Sequence, residues 1–404
     1  MDRSPPDDDP GTVRHAPPAP ESGLPVLPEL RAVAAAAADR AMAGPPGGPP
    51  ELRAAAAGYW TRRGLRTNAT DSVAAHGTPA LLCALIAAHD GDVLMPRPSP
   101  AWWTPQARLL RRAAYHVPAS EESGGVPDPY ALLEAVRRVR AEGGAPKLLL
   151  LSVADDPTAA VAPPELVREA CEAAVAEGLH IVSDETWRDT LHDPHQSVLV
   201  SPAEMCPDQV TVVADLAGAL LPSAWPAAIA RFPAAERARR ERVLDVLTVL
   251  GAGIAEPVAA AAATALDEPP PVVERAERAA ALHGQLAQAA HLAVTASGAR
   301  ARPPQAGRHL YVDLGPLRAG LAARGVNDSM ELEEYLTARL GTPVPGGHRF
   351  GDELGALRAR LPTAPLAGPG TKEREESLTS PAPLELPHVA AALSALGTAF
   401  DELR

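Results

Sequence analysis

From Glu51 onward the chain alternates short apolar runs with amphipathic helical patterns, and this alternation constrains its fold more than any other feature. Residues 72–76, 92–95, 114–117, 147–153, 179–183 and 210–214 read as strands. Residues 52–63, 80–89, 104–112, 129–142 and 163–177 read as the helices between them. Strands joined through helices cannot pair as hairpins, so they predict a mainly parallel sheet covered on both faces. In such sheets ligands bind beyond the carboxyl ends of the strands.

Around this centre the organisation changes. Residues 1–26 are rich in Pro and Asp and poor in core formers, the composition of a disordered tail. Residues 27–50 hold a short Ala-rich helix, 28–43, that runs into the linker GPPGGPP. The large α/β domain is expected over 51–272. A smaller α+β domain is expected over 273–404, with strands at 309–314 and 356–361, a helix at 332–340 and a Gly-rich turn at 346–351.

Composition excludes several functions. A net charge of −13 with no long basic block disfavours nucleic acid as a partner. No apolar run is long enough to span a bilayer, and the acidic, Pro-rich start is unlike a signal peptide, so no membrane partner and a cytoplasmic location are expected. Cys83, Cys171 and Cys206 are widely spaced and form no zinc motif, so no metal is expected.

The ordered motifs AAGYWTRRGL (56–65), DGDVLMPRPS (90–99), KLLLLSVADDPT (147–158), VSDETWRD (182–189), AWPAAIARFP (224–233) and FGDELGALRAR (350–360) resemble blocks of the class I/II, fold-type I, pyridoxal phosphate (PLP) aminotransferases. The resemblance runs from about Leu52 to the C-terminus. It implies a large domain with a mainly parallel sheet, a smaller C-terminal domain and PLP as cofactor. It also implies site remnants. Asp184 matches the carboxylate that faces the pyridine nitrogen. Gly77 and Thr78 open a helix where phosphate would be cradled. Trp103 is at or near the stacking aromatic, and Arg358 aligns best with the arginine that takes the substrate carboxylate, with Arg360 the close competitor.

The same register shows departures. The family's Schiff-base lysine position holds Gly218, and the phosphate arginine eight residues on is Pro226. Asp215 replaces a phosphate-binding hydroxyl with an acid. Asp156 replaces an amide that donates to the cofactor's phenolic oxygen, and a carboxylate can only accept there. Trp187 stands where the family usually has a tyrosine. The chain contains two lysines, Lys147 at the start of a core strand and Lys372 in the polar stretch 371–377, expected as a loop; neither is placed for an aldimine. His180 and His192 flank the SDE block and are candidate substitute bases.

These residues predict a non-catalytic relative with a binding or regulatory role. The alternatives are an active transaminase acting on an amino acid and a 2-oxo acid, or an enzyme holding a cofactor or other ligand noncovalently in the same crevice. An amino-acid-like small molecule fits Asp184 and Arg358. The resemblance further implies a homodimer, or a heterodimer with a related aminotransferase, with residues 52–65 and Trp102-Trp103 as candidate interface segments.

Overall fold

The computed structural model describes residues 23–39, 44–120 and 123–404. Most of the expected disordered tail, residues 1–22, lies outside the described residues, as does the end of the first expected helix; the described helix runs Pro28–Ala36.

Seven strands form the main sheet: β1 (Ser72–Ala75), β2 (Asp92–Arg97), β3 (Ala114–Pro118), β4 (Pro146–Ser152), β5 (His180–Asp184), β6 (Val210–Asp215) and β7 (Ala228–Arg231). Their spatial order is β1-β7-β6-β5-β4-β2-β3. The pairs β3/β2, β2/β4, β4/β5 and β5/β6 are parallel, while β7 runs antiparallel to both neighbours. Leu148–Leu151 on β4 are buried on both faces, which is why this strand reads as an unbroken apolar run rather than an alternation. Helices supply the cover. Pro129–Ala141 is set by Asp128, whose side chain accepts from the Ala131 amide at 3.0 Å, with Pro at its first position. β7 was not among the expected strands: four residues, two of them Ala, carry little strand propensity, and the sheet supplies the order that the sequence lacks.

The smaller domain is a three-stranded antiparallel sheet, β8 (Arg300–Ala301), β9 (His309–Asp313) and β10 (Arg358–Pro362), in the order β10-β9-β8. The helices Pro270–Ala296 and Pro387–Asp401 cover it. Pro270–Ala296 is continuous across the expected boundary at 272/273. Val272 packs in the large-domain core, whereas Leu282, Leu286, Ala290 and Val294 pack in the small-domain core. The stretch expected as a loop at 371–377 is instead the helix Thr371–Thr379. Lys372, Glu375 and Glu376 are exposed, and Ser377 and Leu378 anchor it.

The segment before the first helix crosses between domains. Leu24 packs against the small-domain core, Val26 and Leu27 pack against the large-domain core, and Leu30 is inside it. Arg275 donates to the Pro25 carbonyl.

Candidate active-site crevice

The carboxyl ends of β1, β4, β5 and β6 lie along one edge of the sheet. The small domain faces that edge with Arg308, just before β9, and Arg360 on β10. Between them is a cavity of about 610 Å³, whose lining includes Ser152, Asp184 and Asp215 from the strand ends and the turn His76–Ala80 after β1.

Four of the expected residues, Gly77, Thr78, Asp184 and Asp215, meet on its floor. Gly77 has φ +81°, a left-handed conformation that favours glycine, and turns the chain directly from β1 into the helix Gly77–Ala88. This helix start has no side-chain cap of its own. Its Thr78 amide donates instead to Asp215 Oδ2 at 2.9 Å. The other oxygen of Asp215 accepts from the Ala217 amide at 3.0 Å and caps the short turn Leu216–Gly218. Burial raises the Asp215 carboxyl above its ordinary range, against the lowering effect of these bonds. Asp215 therefore sits where a helix N-terminus would otherwise present a free amide to an anion.

Asp184 is 8% exposed at the end of β5, and its Oδ1 accepts from the Thr186 amide at 3.0 Å. Burial, with smaller contributions from Asp215 and Asp156, pushes its carboxyl up to about 7 against the lowering effect of its bonds to Thr186. Thr186 joins the whole floor. Its hydroxyl accepts from the Asp215 amide at 3.0 Å, and its carbonyl lies against Gly218. A Cβ built on Gly218 would stand 2.3 Å from that carbonyl oxygen. Arg308 donates to the Gly218 carbonyl, which holds the same backbone from the small-domain side.

Asp156 is also on the wall. Its Oδ1 accepts from Arg360 Nε at 2.7 Å, and Arg360 Nη2 is 3.1 Å from His309 Nδ1. The arginine on the cavity wall is thus Arg360, and its neighbour is a carboxylate of the same chain. Arg358, the preferred sequence candidate, is elsewhere. It faces a separate cavity of about 430 Å³ and pairs with Asp352 at 3.4 Å. Trp103 is likewise corrected: it is 1% exposed in the core beneath the helix Gly77–Ala88, while Trp102 lines the crevice. Adjacent residues near a helix start point about 100° apart, so a one-residue uncertainty decides between core and cavity.

Neither candidate substitute base reaches the crevice wall. His180 is at the opposite, amino end of β5, with Nε2 2.9 Å from Thr211 Oγ1, and burial holds it well below the usual histidine range. His192 lies between the Pro304 and Gly307 carbonyls, at 3.1 and 2.9 Å. Lys147 is exposed near the amino end of β4, and Lys372 is exposed on the helix Thr371–Thr379. Thr186, Arg308 and Trp102 are the wall residues that sequence reasoning missed. Only Thr186 carried a signal, its place two residues beyond Asp184, where an Asp side chain commonly bonds the backbone. Among the described residues no cluster of His, Cys, Asp and Glu is arranged to hold a metal, and no helix is long and apolar enough to cross a membrane.

Residues 19–361 match the family Aminotransferase class I and II. The chain belongs to this family of PLP-dependent aminotransferases. It is similar to a probable aspartate/prephenate aminotransferase of Thermus aquaticus, 31% identical over 190 residues that make up 45% of this chain and 46% of that protein. It is 30% identical over 186 residues to the aspartate/prephenate aminotransferase of Thermus thermophilus, again 46% of that protein. The chain spans about half the length of the curated relatives it matches. Over most of its length it shares the fold of solved structures. The aspartate aminotransferase of Thermus thermophilus with maleate has a TM-score of 0.75 at 21% identity, covering 94% of this chain and 90% of that one. The aromatic aminotransferase of Pyrococcus horikoshii OT3 has a TM-score of 0.75 at 18% identity, covering 94% and 93%.

The family's cofactor can be tested against this floor. Asp184 stands at the end of a central strand, as a pyridine nitrogen requires. The remaining contacts do not fit. Asp215 already takes the Thr78 amide, and its charge would meet a phosphate across a buried gap. Gly218 offers no amine and has no space for a side chain against Thr186. Pro226 offers neither charge nor donor.

Proposed function

We propose that this chain is a non-catalytic member of the class I/II aminotransferase family that keeps the fold and crevice for a binding or regulatory role in the cytoplasm. The observation that carries the reading is the pairing within the floor. Asp215 takes up the helix amide that would serve a phosphate, and Gly218 is pressed against the Thr186 carbonyl where a lysine would have to stand. A chain that transaminates needs a lysine to hold the cofactor and move the proton, and both lysines of this chain are remote from the cavity. The rival reading, an active transaminase, draws on the family match, the names of the relatives and the place of Asp184.

Titration of the purified protein with PLP followed by borohydride reduction tests this. The expected result is no stable adduct inside the crevice and no absorbance band of a Schiff base, with at most scattered labelling of surface amines. One stoichiometric adduct on a crevice residue would overturn the reading.

We also propose that the chain works as a dimer, with itself or with a related aminotransferase. Of the segments expected at the interface, Tyr59 and Trp60 are buried within their own chain, with Tyr59 bonded to Asp189 at 2.7 Å, so they are not available to a partner. Trp102 is half-buried, and Val249 and Leu250 are 88% and 51% exposed as an adjacent apolar pair. Light scattering at micromolar concentration is expected to give twice the chain mass. A monomer mass, unchanged by a co-expressed aminotransferase, would rule the dimer out.

A further inference from the structure

The crevice has volume, but groups of the chain already occupy several of the contacts an anion would use. About 610 Å³ is the size of an ordinary small-molecule site. Two of the features that would draw an anion, the helix amide and Arg360, already have a carboxylate of the chain beside them. Asp215 is on the helix amide at 2.9 Å, and Asp156 is on Arg360 at 2.7 Å. Arg308 reaches the Gly218 carbonyl and lies 5.9 Å from the Trp187 ring centroid. Three acids, Asp156, Asp184 and Asp215, line the space with two arginines, Arg308 and Arg360. Trp102 and Trp187 stand in the wall among Pro79, Pro100, Ala154 and Pro226, with polar groups such as His76, Ser152 and Ser223 beside them. Asp156 pairs with Arg360 and both oxygens of Asp215 accept backbone amides, whereas the bonds to Asp184 come from Thr186, and the part of Asp184 left exposed is at the cavity wall.

We propose that the crevice binds a flat aromatic amine carrying neither phosphate nor carboxylate, its protonated nitrogen paired with Asp184 and its ring set against the tryptophan-bearing wall. This deepens the non-catalytic reading and rests on it. Desolvation favours such a ligand twice. Its charge offsets that of a buried carboxylate, and its ring gains from aromatic neighbours through dispersion and cation–π attraction. An α-amino acid of the same ring shape would bring its own carboxylate close to Asp156 and Asp215, where like charges repel.

Isothermal titration of the full chain with tryptamine, tryptophan and PLP reads this out. Tryptamine is expected to bind at least about tenfold more tightly than tryptophan, since the carboxylate of tryptophan meets the like charges of Asp156 and Asp215 and each 1.4 kcal/mol is tenfold. Asp184→Asn is expected to weaken tryptamine by about tenfold or more, and Trp102→Ala, a half-exposed position that tolerates truncation, to weaken it severalfold. Melting curves of both variants confirm folding. Equal or tighter binding of tryptophan, no binding of tryptamine at millimolar concentration, or unchanged binding by folded Asp184→Asn would each overturn the proposal. The non-catalytic reading survives those outcomes and falls only if PLP forms an adduct in the crevice.

Discussion

Replacing Gly218 by lysine is expected to yield a less stable protein that still forms no Schiff base. The amine alone is not what the floor lacks. Any side chain at this position starts 2.3 Å from the Thr186 carbonyl oxygen, so the turn Leu216–Gly218 or the segment after β5 must move. Neither moves alone. Thr186 bonds both Asp184 and the Asp215 amide, and Arg308 holds the Gly218 carbonyl. Overpacking of this kind costs about 1–3 kcal/mol, and an ammonium facing a dry floor adds to it. Denaturant midpoints of the two proteins measure the loss, and absorbance in the presence of PLP measures the chemistry. Adding Asp156→Asn, Asp215→Ser and Pro226→Arg restores donors for the cofactor but leaves the contact with Thr186 in place. The fourfold variant is therefore expected to bind PLP better than the single one while remaining less stable than the starting chain. Robust turnover by Gly218→Lys alone would show that the phosphate contacts and the Thr186 contact both matter less than argued.

Asp184→Asn is expected to stabilise the protein above neutral pH and to leave it nearly unchanged near pH 4. The carboxyl is pushed from 3.8 up to about 7 by burial, with Asp215 and Asp156 adding to the rise. Between those two values the folded chain holds a proton that the unfolded chain has released. The stability associated with that proton is present in full below about pH 4 and is lost as pH climbs through 7. The difference of about three units corresponds to about 4 kcal/mol. Asparagine keeps an oxygen for the Thr186 amide and has no charge to desolvate, so a gain of about 2–4 kcal/mol at pH 8 is expected from urea midpoints. Asp155, pushed up to about 6 by burial, and Asp215, raised in the same way, give the unaltered protein the same slope. Burial holds His89, His180 and His283 below the usual histidine range, so they oppose this slope in mild acid, where the unfolded chain takes up protons that the folded chain does not. A variant no more stable than the starting chain at pH 8 would mean that Asp184 is ionised at little cost, and that the floor is wetter than its burial indicates.

The parallel sheet was legible because apolar runs such as Leu148–Leu151 cannot be satisfied at a surface, and the helices between them because Pro and Asp mark their starts. Asp184, Asp215 and Gly77 were singled out by the resemblance to the family, whose motifs run in step with the strand ends. The errors arose where two neighbours compete. Trp102 and Trp103 differ by one helical step, and only packing tells which faces the core. Arg358 and Arg360 are two apart on β10 and share a strand face, so no pattern separates them. Their places along the strand, about 7 Å apart, put one in each cavity. The helix Thr371–Thr379 was misread because nearly all its residues are charged or polar, and its two buried residues are too few to produce a period. The contact between Gly218 and Thr186 joins segments 32 positions apart, and nothing local announces it.

The crossing of the chain near its start has a practical side. With Leu24 seated in one domain and Val26 to Leu30 in the other, this short stretch works as a clasp between two bodies that a continuous helix and bonds such as Arg360–Asp156 also join. Anyone trimming the chain for crystallisation should cut no later than residue 22. A cut at residue 27 would remove the clasp, loosening the small domain and altering the mouth of the crevice at Arg308 and Ser223, residues that the clasp and the cavity share. Attaching a fluorophore ahead of Gly23 would turn the same geometry into a reporter, since movement between the domains must unseat Leu24 or carry it along.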